Sequence, residues 1–168
     1  MEREQLIHPI PPTFDERSEV LILGSFPSRK SREMGFYYGH PQNRFWRVMA
    51  ALFEEEVPMT AEKRRAFLLR NRVAAWDVIA SCTIEGAADS SIKDAVPNDL
   101  RPILEGARIE RVFCNGRLAY DLYRRYTEPA LGLKAEYLPS TSPANAAWTL
   151  ERLIDAWRCV RERNSDDG

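Results

Sequence analysis

The sequence predicts an α/β fold in which strands alternate with helices around a mostly parallel sheet. Short, mostly apolar runs that suit buried strands recur at residues 19–24, 73–80, 109–114 and 133–138. Segments with helical spacing or helix-capping residues lie between these runs. Because right-handed crossovers bring the loops after parallel strands to one edge of the sheet, we expect the functional site at that carboxyl edge.

The other elements follow in order along the chain. Residues 1–17 contain Pro9, Pro11 and Pro12 and are predicted to form an extended arm. Residues 24–41 show no helical period, so we predict a long loop there. Helices are predicted at 45–53, 60–70, 99–105, 117–126 and 143–163, and the tail 164–168 is predicted to fray.

The composition is that of one globular domain. The chain has 168 residues, of which 44% are hydrophobic and 29% charged, and this excludes a disordered protein. A chain of this length buries roughly 70% of its unfolded surface, so residues 1–168 are predicted to form a single domain without disulfides. The 24 basic and 25 acidic side chains give a net charge of −1, which says little about partners, because a nucleic-acid site needs only a local basic face.

Targeting and metal signals are missing from the sequence. No apolar stretch approaches the roughly 20 residues that a membrane span needs, and the N-terminus lacks a secretory signal, so we expect no membrane partner and a cytoplasmic location, nucleoid-associated in a prokaryote. Cys82, Cys114 and Cys159 form no CxxC pair and have only two histidines to assist them. We therefore predict inert thiols, with no metal and no cofactor.

The loop after the first strand is the most unusual segment. From Gly24 to Trp46 it contains GSFPSRKSREMGFYYGHPQNRFW, which matches neither a dinucleotide-binding loop nor a phosphate-binding P-loop. Its hydroxyls, cations, consecutive aromatics and amides are the groups that stack a base and hydrogen-bond its edge. A loop packed by its own aromatics is the structural alternative.

The last loop of the predicted edge, Leu138–Ala146, contains LPSTSPANA. Three consecutive hydroxyls stand there before a predicted helix N-terminus, where backbone N–H groups and the helix dipole favour an anion. Helix capping alone is the alternative explanation. With this loop, the edge is predicted to consist of the loops 24–44, 77–91, 114–117 and 138–146.

These two motifs, with WDVIASC at Trp76–Cys82, closely resemble the uracil-DNA glycosylase superfamily and, within it, the hypoxanthine-DNA (deoxyinosine) glycosylase branch. The resemblance implies a three-layer α/β/α fold around a four-stranded parallel sheet. It further implies base excision without a cofactor, double-stranded DNA containing a deaminated base as the partner, and action as a monomer.

The resemblance also assigns the site. Uracil-removing relatives carry Asp or Asn in the first motif, where this chain has Phe26, so the resemblance implies that Asn43 of HPQN is catalytic and that its carbonyl orients the attacking water. Tyr38 corresponds to an aromatic that stacks on the flipped base. The other implied base-binding residues, besides Phe26 itself, are Asp77 and Asn115.

Contacts with DNA are implied for six residues of the two motifs: Ser28, Arg29, His40, Ser140, Ser142 and Asn145. Ser28, Ser140 and Ser142 correspond to phosphate contacts, and Asn145 lies where relatives insert a side chain into the vacated base stack. Structural alternatives stay open for Tyr38 as core packing, for Asp77 as the cap of a turn, and for Asn115 as part of a tight turn with Gly116. The resemblance thus implies a monofunctional glycosylase for hypoxanthine. A glycosylase for uracil or a broader set of deaminated bases, and a catalytically weak protein that binds damaged DNA, are the alternatives.

Overall fold

The computed structural model describes residues 3–85 and 92–162. Within these ranges the strands are β1 (Arg3–Ile7), β2 (Val20–Gly24), β3 (Val73–Asp77), β4 (Ile79–Glu85), β5 (Ile92–Pro97), β6 (Arg111–Asn115) and β7 (Glu136–Leu138). The helices are α1 (Arg29–Met34), α2 (Phe45–Phe53), α3 (Ala61–Arg70), α4 (Arg101–Gly106), α5 (Arg117–Leu122), α6 (Glu128–Leu131) and α7 (Leu150–Trp157).

The central sheet has four parallel strands in the order β3-β2-β6-β7. Strand β2 is buried along its whole length, as its VLILG sequence requires. Its alternate residues enter two apolar clusters, Val20 and Ile22 in one and Leu21 and Leu23 in the other. The sheet is therefore covered on both faces, and the predicted α/β class with a four-stranded parallel sheet is confirmed.

Each face has its own helices. One cluster contains residues of α2, α3 and α7, with Phe45, Phe67 and Trp157 fully buried. The other contains Ile103 of α4 and Tyr123, which begins a π-helical segment between α5 and α6. This arrangement gives the three layers of the predicted fold.

A second sheet was not predicted. Strands β1, β4 and β5 pair antiparallel in the order β1-β4-β5, so the N-terminal arm contributes a strand. The apolar run 73–80 is not one strand, because the chain leaves the parallel sheet after Asp77 and begins β4 at Ile79. The predicted polar loop 77–91 is likewise wrong over its first half, and its residues 86–91 lie outside the described ranges.

Two helix predictions also need correction. The segment 24–41 contains α1, capped by Ser28, whose Oγ accepts a hydrogen bond from Ser31 N. The last helix begins at Leu150 with Thr149 as its N-cap, not at Pro143. The hydroxyls of 140–142 therefore do not precede a helix N-terminus, and a helix dipole does not contribute to an anion site there. The predicted tail 164–168 lies outside the described ranges.

No helix among the described residues is long and apolar enough to cross a membrane.

Trp157 joins the last helix to the loop that follows β7. Its side chain is fully buried, and Nε1 donates to Pro139 O at 2.9 Å. We expect Trp157→Ala to lower the free energy of unfolding by about 3–5 kcal/mol, since it leaves a cavity and an unpaired carbonyl. Arg158→Ala, at a side chain that is 61% exposed, is the control and changes it by less than about 0.5 kcal/mol.

Urea denaturation of the two variants measures this difference. Equal urea concentrations at the unfolding midpoint of Trp157→Ala and Arg158→Ala would contradict the expected loss of stability in Trp157→Ala.

Candidate functional site

A cavity of about 260 Å³ opens at the carboxyl edge of the parallel sheet. Nine of the predicted site residues line it: Phe26, Ser28, Tyr38, His40, Asn43, Asp77, Asn115, Ser140 and Ser142. Two predicted residues do not. Asn145 lies outside the lining, and the side chain of Arg29 lies outside the described part of the chain.

Asn43 is held by its carbonyl. Its Oδ1 accepts hydrogen bonds from Phe45 N at 2.9 Å and from Thr141 Oγ1 at 2.8 Å. Both lone pairs of the amide oxygen are thereby used. The free end of the side chain is the Nδ2 amide, which differs from the expectation that the carbonyl orients a water.

Thr141 was missed by the sequence analysis. It is fully buried, its N–H donates to Asn115 Oδ1 at 3.1 Å, and its Oγ1 accepts from Asn115 Nδ2 at 3.0 Å. Because the hydroxyl accepts from Asn115, its own proton is directed to Asn43. A hydrogen-bond chain thus runs from Asn115 through Thr141 to Asn43, and only the position of Thr141 between two predicted serines hinted at it.

Arg44 fixes the loop that carries Thr141. Its backbone N–H donates to Thr141 O at 3.0 Å, and its guanidinium donates to the carbonyls of Ser142, Asn145 and Trp148. Asn145 itself donates through Nδ2 to Ser140 O at 3.0 Å, so its side chain stabilises the loop. The two sequence motifs are therefore joined into one hydrogen-bonded unit.

Asp77 is bonded to a residue of the N-terminal segment. Its carboxyl side chain is 5% exposed, and its Oδ2 lies 2.8 Å from Nε2 of His8, whose side chain is 3% exposed. His8 Nδ1 accepts from Ile10 N at 3.1 Å, so the imidazole proton is on Nε2 and is donated to Asp77. Asp77 Oδ1 has no hydrogen-bond partner among the described residues. No turn-capping contact of this side chain is seen in the described ranges.

Tyr38 combines packing with an unpaired polar group. Its ring stacks on Phe45 with centroids 4.0 Å apart and an interplanar angle of 21°. Its hydroxyl is buried without a hydrogen-bond partner in the described part of the chain. Burial, reinforced by the charge of Asp77 and only partly offset by the nearby side chain of Asn115, raises the pKa of the Tyr38 phenol far above its ordinary value, so the hydroxyl keeps its proton.

Gly24 makes room for these groups. A Cβ at Gly24 would lie 2.4 Å from Asp77 Oδ1 and 3.2 Å from Tyr38 Oη. The carboxylate and the phenol therefore converge over the last residue of β2, and a side chain there would collide with the carboxylate.

The remaining lining residues form the rim. Ser28 and His40 are exposed, and Phe26 is half-buried with its ring edge-on to His8 at 5.7 Å. Ser140 and Ser142 each accept a backbone N–H from two residues further along, so their hydroxyls organise local turns. Their hydroxyl protons remain available for an acceptor such as a phosphate oxygen.

No cluster of three or more metal-ligating side chains lies in the described ranges. Cys82 and Cys114 are buried, and burial raises the pKa of Cys114 to about 12. A thiol with so high a pKa is a poor nucleophile and metal ligand.

A parallel sheet with a polar cavity at its carboxyl edge, walled by two joined loop motifs, is the arrangement that the resemblance to DNA glycosylases leads us to expect. The profile described as the Uracil DNA glycosylase superfamily matches residues 11–162. The chain belongs to this superfamily, and the resemblance drawn from the sequence is confirmed.

Two relatives within the superfamily and one solved structure are similar to this chain over most of its length. The chain is 39% identical over 155 residues to a protein of Methanosarcina acetivorans named Hypoxanthine DNA glycosylase, covering 89% of this chain and 94% of the relative. It is 35% identical over 139 residues to a protein of the same name from Methanosarcina barkeri, covering 80% and 85%. A solution NMR structure from Methanosarcina acetivorans, assigned by its name to the uracil DNA glycosylases, superposes with a TM-score of 0.76 at 32% identity, over 94% of this chain and all of that one.

The effect of Tyr38→Phe on stability can be predicted from the unpaired hydroxyl. Tyr38→Phe removes a buried group that has no partner, so we expect the free energy of unfolding to stay within about 0.5 kcal/mol or to rise. Tyr123→Phe is the matched control, because Tyr123 Oη donates to Leu133 O at 2.6 Å and its removal costs about 1 kcal/mol.

Urea denaturation compares the two variants. A Tyr38→Phe variant destabilised as much as Tyr123→Phe would show that the Tyr38 hydroxyl has a partner in the free protein.

Proposed function

We propose that this protein is a monofunctional DNA glycosylase that removes hypoxanthine from deoxyinosine in double-stranded DNA and acts as a monomer. The observation that carries the proposal is the cavity in which the fixed amide of Asn43 and the carboxylate of Asp77 lie together at the sheet edge. Two relatives named for hypoxanthine support the choice of base. A cytoplasmic location, where the DNA of a prokaryote lies, fits this function.

The substrate base has to leave the duplex. An enzyme of this kind extrudes the nucleotide by about 180° into its pocket, at a cost of a few kcal/mol that is smallest for a poorly paired base. Hypoxanthine opposite thymine is such a base. In the pocket, the free Oδ1 of Asp77 accepts a hydrogen bond from hypoxanthine N1–H, whereas the lone pair on N1 of adenine is repelled.

Bond cleavage produces an oxocarbenium-like sugar and an electron-rich purine. The Nδ2 amide of Asn43, the free end of a side chain whose carbonyl is already engaged, donates to a lone pair on the leaving base. Water adds to C1′ as the C1′–N9 bond breaks, and the proton it loses passes to the departing purine anion or to solvent. The amide is too weak a base to deprotonate water early. Phosphates of the DNA add negative charge beside the sugar.

The rim of the cavity contacts the DNA backbone. The hydroxyls of Ser140 and Ser142 and the exposed ring of His40 donate hydrogen bonds to phosphate oxygens. The Ser28 hydroxyl, which donates to Ser31 Oγ at 3.1 Å in the free protein, turns to a phosphate oxygen when DNA binds. Arg29 adds a cation, and Asn145 supports the loop rather than touching the cavity.

Cleavage of a panel of duplexes tests the proposal. Inosine, uracil, xanthine and adenine are each placed opposite thymine, and abasic sites are revealed by alkaline cleavage. We expect abasic product from inosine above all. Faster release of uracil would favour a glycosylase of broader or different specificity, and tight binding of inosine DNA without product would favour a protein that only binds damage.

Asn43→Ala removes the proposed catalytic amide. We expect the single-turnover rate on inosine DNA to fall about a hundredfold or more, with DNA affinity retained, as when one preorganised donor is removed from an active site. Asn43→Asp keeps the shape and the acceptor but loses the Nδ2 donor, so its rate falls similarly. Gln42→Ala, an exposed neighbour outside the cavity lining, is the control and cleaves like the parent. A single-turnover rate of Asn43→Ala equal to that of the parent would show that Asn43 is not the catalytic residue.

Thr141→Val tests the hydrogen-bond chain. The change preserves shape but removes the donor to Asn43 Oδ1 and the acceptor for Asn115 Nδ2. We expect the single-turnover rate to fall about tenfold, with DNA affinity unchanged, because a misdirected amide costs transition-state rather than ground-state binding. Thr141→Ser keeps the hydroxyl and restores the rate. A slow Thr141→Ser variant would mean that packing of the methyl group, not the hydroxyl, is what matters.

A further inference from the structure

Two polar atoms meet in the cavity without a partner. Tyr38 Oη is buried and unpaired in the described ranges, Asp77 Oδ1 accepts no hydrogen bond there, and both lie close to the position of a Cβ on Gly24. We propose that the Tyr38 hydroxyl and the Asp77 carboxylate form a donor–acceptor pair that reads the keto and ring N–H groups created by deamination, with His8 as the positioning residue that fixes the acceptor. This inference rests on the proposed function.

His8 fixes Asp77 as the hydrogen-bond acceptor of the pair. Since His8 Nδ1 accepts from Ile10 N–H, the ring is a donor at Nε2, and it holds Asp77 Oδ2 at 2.8 Å. The ring is itself packed edge-on against Phe26 and Trp76, at 5.7 and 6.0 Å between centroids. The carboxyl group therefore cannot rotate freely, and its other oxygen remains an acceptor that faces the cavity.

Tyr38 supplies the complementary donor. A carboxylate only accepts, so of these two groups the phenol alone can donate to a ligand. Stacking on Phe45 fixes the plane of the ring, and the left-handed backbone of Tyr38, with φ of 54°, is an uncommon conformation for a side chain of this size. The hydroxyl is held in place before any ligand arrives, which lowers the entropy cost of binding.

Deamination inverts the hydrogen-bonding edge of a base. Adenine presents an amine donor at C6 and an acceptor at N1, whereas hypoxanthine presents an O6 acceptor and an N1–H donor. A hydroxyl donor beside a carboxylate acceptor fits hypoxanthine at both atoms. Adenine can give its amine proton to the phenol oxygen, but it turns the lone pair of N1 toward the carboxylate, so it fits at one atom only. Uracil and cytosine differ in the same sense, and guanine shares the O6 and N1–H pattern. The pair thus distinguishes a deaminated base from its parent, while other walls of the cavity set base size and exclude guanine.

Tyr38→Phe isolates the donor. The variant keeps the ring that packs on Phe45 and loses only the hydroxyl. We expect affinity for free hypoxanthine, measured by calorimetry, and the single-turnover rate on inosine DNA each to fall about tenfold. Affinity for duplex containing an abasic site stays parental, since no base is present to be read. Tyr123→Phe, a buried phenol in the opposite apolar cluster, changes none of these values.

Asp77→Asn isolates the acceptor. With His8 in place, its Nε2–H holds the carbonyl of the new amide and turns the NH2 toward the cavity, so a donor replaces the acceptor. We expect hypoxanthine affinity to fall at least tenfold and adenine affinity to rise. Combining Asp77→Asn with His8→Leu frees the amide to turn, and part of the hypoxanthine affinity returns. His8→Gln, which keeps a donor of similar reach, binds hypoxanthine more tightly than His8→Leu.

The outcomes separate this inference from the proposed function. A parent protein that neither binds hypoxanthine nor releases it from DNA overturns both. A parent that releases hypoxanthine, with Tyr38→Phe and Asp77→Asn variants that bind the free base equally well, overturns the pair alone. Parallel loss of affinity for abasic DNA in Tyr38→Phe also overturns it, because the hydroxyl would then be structural.

Discussion

The parallel register that sets Gly24 beside Asp77 is the constraint on which the cavity depends. Both residues end their strands at the same level, and the missing side chain of Gly24 leaves the space that the carboxylate and the Tyr38 hydroxyl share. One strand further, the pairing of Asn115 with Leu138 brings the following loop back over the sheet, so that Thr141 meets Asn115. A slip of one residue in either pair would separate the polar groups of the site.

The small antiparallel sheet serves the same cavity. Strand β1 pairs with β4 so that Ile7 lies opposite Ser81. The next residue, His8, then contacts Asp77 at the end of β3. The cavity is also where polar groups are left incomplete. Of the three buried polar side-chain atoms without a partner in the described ranges, the Tyr38 hydroxyl lies in its wall and Arg44 Nε belongs to the residue that clamps its loop. Burying a polar group without a hydrogen-bond partner costs free energy. Groups left without a partner at this cavity therefore indicate a ligand that supplies one.

The sequence predicted the parallel sheet and its edge because buried strands such as VLILG and the polar segments that follow them are local signals. It could not reveal that the apolar run 73–80 divides between two sheets, since both halves are equally apolar and the division depends on β1 pairing from a distance. Pro143 also suggested a first helical turn, but the bonds from Arg44 hold that segment irregular until Thr149. The roles of His8 and Thr141 are contacts across more than 60 residues of chain and leave no local pattern.

Because Asp77 is charged, base selection and rate acceleration fall to different groups of the site. A carboxylate that accepts N1–H stabilises the bound base, but the purine becomes electron-rich as its bond to the sugar breaks, and a nearby negative charge opposes that change. In the proposed function, its contribution is therefore to selection in the ground state. Acceleration then has to come from donors, and the cavity offers the Tyr38 hydroxyl and the Nδ2 amide of Asn43. Because both are neutral, they stabilise the departing purine without repelling the developing positive charge on the sugar.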